Sequence, residues 1–214
     1  MTNKICFFKS PIYFLIVLIM MATACQKKQA VEEAPCCTES VVLNQEKLKL
    51  PTESIYQLES KWHDQDNKTL TLNSLTGKIQ VVAMVFSNCK LACPRLIVDL
   101  KAIENKLSVD QKKKVSFLLI TFDTERDTPK QLKKFANDMQ LNDNWKLIHS
   151  SETNTREISM ILNINYEKQT DGTFAHSNAI HIINKKGIIV HRQDGLGADN
   201  TQTIKAISNL ISKP

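Results

Sequence analysis

The chain has 214 residues, of which 42% are hydrophobic and 23% charged, enough for one domain with a real core plus extensions. Five glycines exclude collagen-like or low-complexity character, and a net charge of +6 requires no anionic partner. Lys112 to Lys114 form the only tight basic run, which reads as a solvated loop, and no nucleic-acid-binding motif accompanies it.

Residues 1–24 read as an export signal. Lys4 and Lys9, with no acidic residue, precede the apolar run "PIYFLIVLIMMATA". The run ends in "ATAC", which resembles the lipobox of bacterial lipoproteins, where cleavage precedes the cysteine and the cysteine is lipidated. Cys25 is therefore the expected lipidation site, although Ala22 stands where that motif more often has leucine. An uncleaved signal anchor is the alternative, since the run is nearly long enough to span a bilayer. Both readings tether a folded domain to a membrane of the cell envelope, outside the cytoplasm.

Residues 25–53 are polar and lack periodicity, the pattern of a flexible stalk. The stalk carries Cys36 and Cys37. Adjacent cysteines make only a strained bridge with each other, so the doublet is either an auxiliary soft-metal or thiol-exchange site or has no function. The folded domain is expected over residues 54–214.

Within that domain, residues 55–75 look like short strands of an N-terminal hairpin. "IQVVAMVF", Ile79 to Phe86, is a β-branched run typical of a strand buried on both faces. Leu96, Leu100, Ile103 and Leu107 then recur at helical spacing. A second buried strand follows at Val115 to Phe122. Thr128 as N-cap and Pro129 at the first helical position open a helix whose apolar face is Leu132, Phe135, Ala136 and Met139. "WKLIHS" is a short strand, a helix runs from about Glu152 to Leu162, and "NAIHIINKKGIIVHR" is a hairpin turning at Gly187. Asp199 or Asn200 opens the last helix. The order β-α-β-α-β-α-β-β-α predicts an α/β domain with a thioredoxin-like mixed sheet flanked by helices.

The chemistry gathers at "VFSNCKLACPRL". Pro94 suits the first turn of a helix, so Cys93 is expected at or near the N-cap and Cys89 in the loop before it. Both sulfurs then face the positive end of a helix dipole, which favours thiolates. A thiol–disulfide oxidoreductase and a soft-metal carrier both fit this placement. The spacing is C-x₃-C rather than the C-x-x-C of thioredoxin-type redox sites, and no proline occurs between Pro129 and Pro214 to face the cysteines. His176, at the start of the closing hairpin, stands there instead. Two thiolates and an imidazole suit copper as Cu(I) or Cu(II), whereas zinc accepts the same ligands but usually takes a fourth. His63 reads as a surface hairpin residue, and His149, His181 and His191 as sheet residues rather than ligands.

Three segments, "FSNCKLACPRL", "TFDTERDTP" and "AHSNAIHIINKKGIIV", resemble in order the signature segments of the Sco/SenC family of envelope copper proteins. The resemblance covers roughly Tyr56 to the C-terminus. It implies that Cys89, Cys93 and His176 are copper ligands and that the protein is a carrier rather than an enzyme. The implied recipient is the copper-site subunit of cytochrome c oxidase, with thiol reductants or other copper chaperones as further partners. Asp123 matches the family's acidic residue at the strand end, where it is either a group supporting the site or docking, or a turn-forming aspartate. Asp127 and Thr128 read as helix-start residues. The "KLA" between the cysteines and Thr124, which replaces a frequent proline, depart from many relatives without removing a ligand. The alternative activity is that of a dithiol reductase acting on the oxidase's own copper-site cysteines.

Overall fold

The computed structural model describes residues 50–212. The signal segment, Cys25, Cys36 and Cys37 lie outside the described residues. Nine strands are described: β1 (Lys61–Asp64), β2 (Thr69–Thr71), β3 (Ile79–Val85), β4 (Val115–Thr121), β5 (Trp145–His149), β6 (Tyr166–Lys168), β7 (Phe174–His176), β8 (Ala179–Ile183) and β9 (Ile189–Asp194). The helices are α1 (Ala92–Lys106), α2 (Val109–Lys114), α3 (Pro129–Asp138), α4 (Glu152–Ile161) and α5 (Thr201–Ser212).

Seven strands form one mixed sheet in the order β2-β1-β5-β4-β3-β8-β9. Strands β3, β4 and β5 run parallel, and β1, β8 and β9 join antiparallel. Every residue of β3 is buried, which accounts for its apolar run from Val81 to Val85: a central strand has no face left for water, and its one polar residue, Gln80, donates to the Leu75 carbonyl at 3.2 Å. The helices that flank the sheet supply the rest of the core, including Leu96, Leu100 and Ile103 from α1 and Leu132 and Phe135 from α3. The sheet flanked by helices is the thioredoxin-like arrangement expected from the sequence. Among the described residues, no helix is long and apolar enough to cross a membrane.

The N-terminal hairpin is part of the main sheet, because β1 pairs with β5 at His63↔His149. Thr128 caps α3 through its side chain, which accepts from the Gln131 N–H, and Pro129 is the first helical residue. Gly187 turns the β8–β9 hairpin at φ +85°, as expected.

Three local features differ from the sequence reading. The segment before β4 is a helix, α2, not a loop. Ser108 and Gln111 close a reciprocal capping box, and Lys112 to Lys114 occupy its last turn, where they complement the helix dipole. Helix α1 starts two residues before Pro94, at Ala92 with Leu91 as N-cap, so Cys93 is near the cap, as expected, but already inside the first turn. Proline is tolerated there because first-turn N–H groups have no intrahelical acceptor to lose. Finally, β6 and β7 pair as a separate two-stranded sheet, placing His176 on a small hairpin that precedes the closing one.

Candidate metal centre

The site lies at the carboxyl end of β3, where the chain leaves the sheet and enters α1. Cys89 and Cys93 come from this crossing. His176 comes from the end of β7, where it pairs with Tyr166. One donor atom from each of Cys89, Cys93 and His176 lies within 4.8 Å of the other two. Ligands of one metal at about 2.0–2.3 Å sit roughly 4 Å apart in a trigonal arrangement. The three donors are therefore within a small adjustment of sharing an ion, and two sulfurs with one imidazole are a soft set. Both cysteines are free thiols.

The two thiols are not equivalent. The Cys93 side chain and the N–H groups of Cys93, Leu91 and Ala92 hydrogen-bond to Cys89, bringing its thiol from 9.0 down to about 5. The Cys93 N–H donates to Cys89 Sγ at 3.2 Å, so the sulfur sits on the exposed amides that begin α1. Cys93 is fully buried and moves the other way. Its hydrogen bond to Cys89 holds its proton, and burial and the Asp127 charge push its pKa further up. The expectation that both thiols would be lowered is thus corrected: the helix start acts on Cys89 alone, and Cys93 is the proton-bearing partner. Alkylation of the reduced protein by iodoacetamide should therefore be selective for Cys89. Its rate should rise with pH through a midpoint near 5 and then level off, because the thiolate forms above that pH. Peptide mapping by mass spectrometry reads both the site and the profile; a midpoint near 9 would show that these amides do not activate the sulfur.

His176 is half-buried against an aromatic wall. Its ring centroid is 5.0 Å from Phe122 and 6.0 Å from Phe86. Nδ1 lies 3.3 Å from the Ser177 carbonyl, and a proton shared there leaves Nε2 as the lone-pair nitrogen. The remaining histidines lie elsewhere, as expected from their strands. His63 and His149 face each other across β1 and β5 with ring centroids 5.6 Å apart. His181 is buried in β8, and His191 Nε2 is 2.9 Å from Thr203 Oγ1.

Asp123 is not one of the converging donors. It is 1% exposed, accepts from the Arg126 N–H at 3.3 Å and pairs with the Arg126 guanidinium. Asp127 is more than a helix-start residue, and this too is a correction. Its carboxylate is fully buried and accepts from the Ser87 N–H at 2.9 Å, from Ser87 Oγ at 2.5 Å and from Thr121 Oγ1. It thereby fixes the first residue of the cysteine loop to the end of β4. Ser87, Arg126 and the aromatic residues Phe86, Phe122 and Phe174 were also missed, because the contacts that bring them to the site, such as Ser87 to Asp127 and Arg126 to Gly172, join residues distant in sequence.

A thioredoxin-like sheet with a dithiol and a histidine converging at the carboxyl end of its central strand defines a class of protein: a soft-metal or thiol-exchange domain. The SCO1/SenC family profile matches residues 51–212. The chain belongs to the SCO1/SenC family. It is similar to the SCO1 protein homolog of Bacillus subtilis (strain 168), with 27% identity over 157 residues, covering 71% of this chain and 79% of that one. Three solved structures share the fold. A SCO1/SenC family lipoprotein from Bacillus anthracis str. Ames superposes with TM-score 0.66 at 22% identity, covering 73% of this chain and 96% of that one. Arabidopsis thaliana ScoI with copper bound gives 0.62 at 19% identity, covering 72% and 97%. BsSco, described as a member of the Sco family of cytochrome c oxidase assembly proteins with a disulfide switch, gives 0.62 at 23%, covering 74% and 95%.

Proposed function

We propose that this protein is a membrane-tethered copper chaperone that holds one copper ion through Cys89, Cys93 and His176 and delivers it to the binuclear copper site of cytochrome c oxidase. The observation that carries this reading is the convergence of the three soft donors within 4.8 Å. The family, the copper-bound Arabidopsis thaliana relative and the assembly role of BsSco support it. The tether would be a lipid on Cys25, in keeping with the Bacillus anthracis relative that is described as a lipoprotein. Cargo leaves by stepwise ligand exchange, one thiolate at a time, to the recipient's own ligands. Loading requires the dithiol, so a Cys89–Cys93 disulfide blocks it.

The thiol asymmetry favours a second reading. An ionised, half-exposed Cys89 backed by a protonated, buried Cys93 also suits a dithiol reductase. In that role Cys89 attacks a partner disulfide, and Cys93 then resolves the mixed disulfide. Copper titration separates the two. Reduced residues 26–214, titrated anaerobically against a competing chelator, should bind one copper tightly. His176→Ala should weaken binding at least about tenfold, the scale of losing a tuned site contact. Replacing Cys36 and Cys37 by serine should leave the main site unchanged. No tight copper, together with rapid exchange against model disulfides, would establish the reductase instead.

A further inference from the structure

The hairpin that carries His176 is gripped at its turn by Arg126, beside a more exposed ion pair between Lys168 and Glu125. The Arg126 Nε donates to Asp123 Oδ2 at 2.5 Å, and Nη2 donates to the Gly172 carbonyl at 2.6 Å, in the turn between β6 and β7. The same guanidinium lies 5.8 Å from the centroid of the Phe174 ring. Gly172 has φ +78°, and a Cβ added there would meet Arg126 Nη1 at 3.3 Å. Glycine thus permits both the turn and the close approach of the guanidinium.

The other end of this link is fixed. Asp123 is buried at the end of β4, where its N–H donates to Thr121 Oγ1 at 3.1 Å. Phe174, which Arg126 covers, is two residues before His176 on the same strand. Its ring is 5.1 Å from both Phe86 and Phe122, the rings that also border His176. A planar fork that reaches two acceptors from separate nitrogens is a property of arginine; a lysine offers a single nitrogen on a flexible stem.

We propose that Arg126 is a positioning residue for the metal centre: anchored on Asp123, it clamps the Gly172 turn and so fixes the hairpin that presents His176 to Cys89 and Cys93. The inference rests on the reading of His176 as a copper ligand. Arg126 touches no donor atom, and its effect on copper passes through the position of the histidine.

The test is a cycle of copper affinities, measured by anaerobic chelator competition on the full chain as wild type, Arg126→Ala, His176→Ala and the double variant. Arg126→Ala should weaken copper about tenfold, the lower end of the range for groups that hold a ligand in place. In the His176→Ala background the same substitution should change affinity by less than about twofold, because the ligand it positions is gone. Arg126→Lys should fall between wild type and Arg126→Ala. An unchanged affinity in Arg126→Ala overturns the proposal. An equal loss in both backgrounds also overturns it, since Arg126 then acts through the cysteines or through general stability. If His176→Ala alone leaves affinity unchanged, the ligand assignment fails separately, and hydrogen exchange decides the clamp. Faster exchange across residues 166–176 in Arg126→Ala upholds the clamp, and unchanged exchange overturns it.

Discussion

Cys93→Ser is expected to abolish tight copper binding, with a loss of at least about a hundredfold, beyond the range that outer-sphere partners command. The hydroxyl is a hard, weak ligand for a soft ion, and in this fully buried position no water can replace the lost sulfur cheaply. The backbone should tolerate the change. The sulfur accepts one hydrogen bond, from the Phe86 N–H at 3.4 Å, which a serine oxygen can also accept. The variant should therefore fold with near wild-type circular dichroism and bind copper only weakly through Cys89 and His176. Chelator competition checks this, and an affinity within threefold of wild type would mean that Cys93 is not a ligand. Cys89→Ser should be as severe.

The second large effect concerns stability. Asp127→Ala leaves three buried or half-buried donors without an acceptor: the Ser87 N–H, Ser87 Oγ and Thr121 Oγ1. At about 1–3 kcal/mol for a stranded buried donor, with some relaxation, the expected loss is about 2 to 4 kcal/mol. That corresponds to a fall in Tm of roughly 5 to 15 °C for a domain of this size. Asp127→Asn should cost much less. One amide oxygen can keep the Ser87 N–H and Thr121 contacts, and the amide N–H₂ can donate to Ser87 Oγ. The pH dependence has a definite sign. Burial outweighs the hydrogen bonds to Ser87 and Thr121 and raises the Asp127 pKa above its ordinary 3.8. The stability that this proton binding adds is complete below 3.8 and is lost as pH rises through the folded-state pKa. Asp127→Asn removes that component. Thermal unfolding of the three proteins at several pH values measures both effects. An Asp127→Ala protein as stable as wild type would show that Ser87 and Thr121 find other partners.

The legible parts of this molecule are those whose cause is local or periodic. A nearly continuous apolar run means a central strand because two buried faces favour apolar side chains, and β3 and β4 follow that rule except at Gln80, Ser116 and Thr121. Thr128 and Pro129 identify the start of α3 because a cap and its helix are adjacent in the chain. The cysteine pair was legible for the same reason. Helix α2 also had a local cue, the Ser108–Gln111 capping box, but the three lysines after it drew the reading toward a loop. The β6–β7 hairpin was announced only by Asp171–Gly172 between aromatic residues, strands too short for periodicity to register. Asp127 shows the limit most clearly. Its sequence neighbours are those of a helix start, yet its principal partner is Ser87, 40 residues away, and only the parallel pairing of β3 and β4 brings the two together.

The donors divide between two pieces of architecture, the crossing from the central strand and a small outlying hairpin. This division lets one arm of the site change independently of the other. Substitutions or insertions in the Gln169–Thr173 turn alter the arm that offers the imidazole while the strands beneath the sulfurs keep their register. The imidazole arm can therefore change without rebuilding the framework that holds the sulfurs. The cysteine loop has no such latitude, because each residue added there shifts a sulfur off the amides that begin α1.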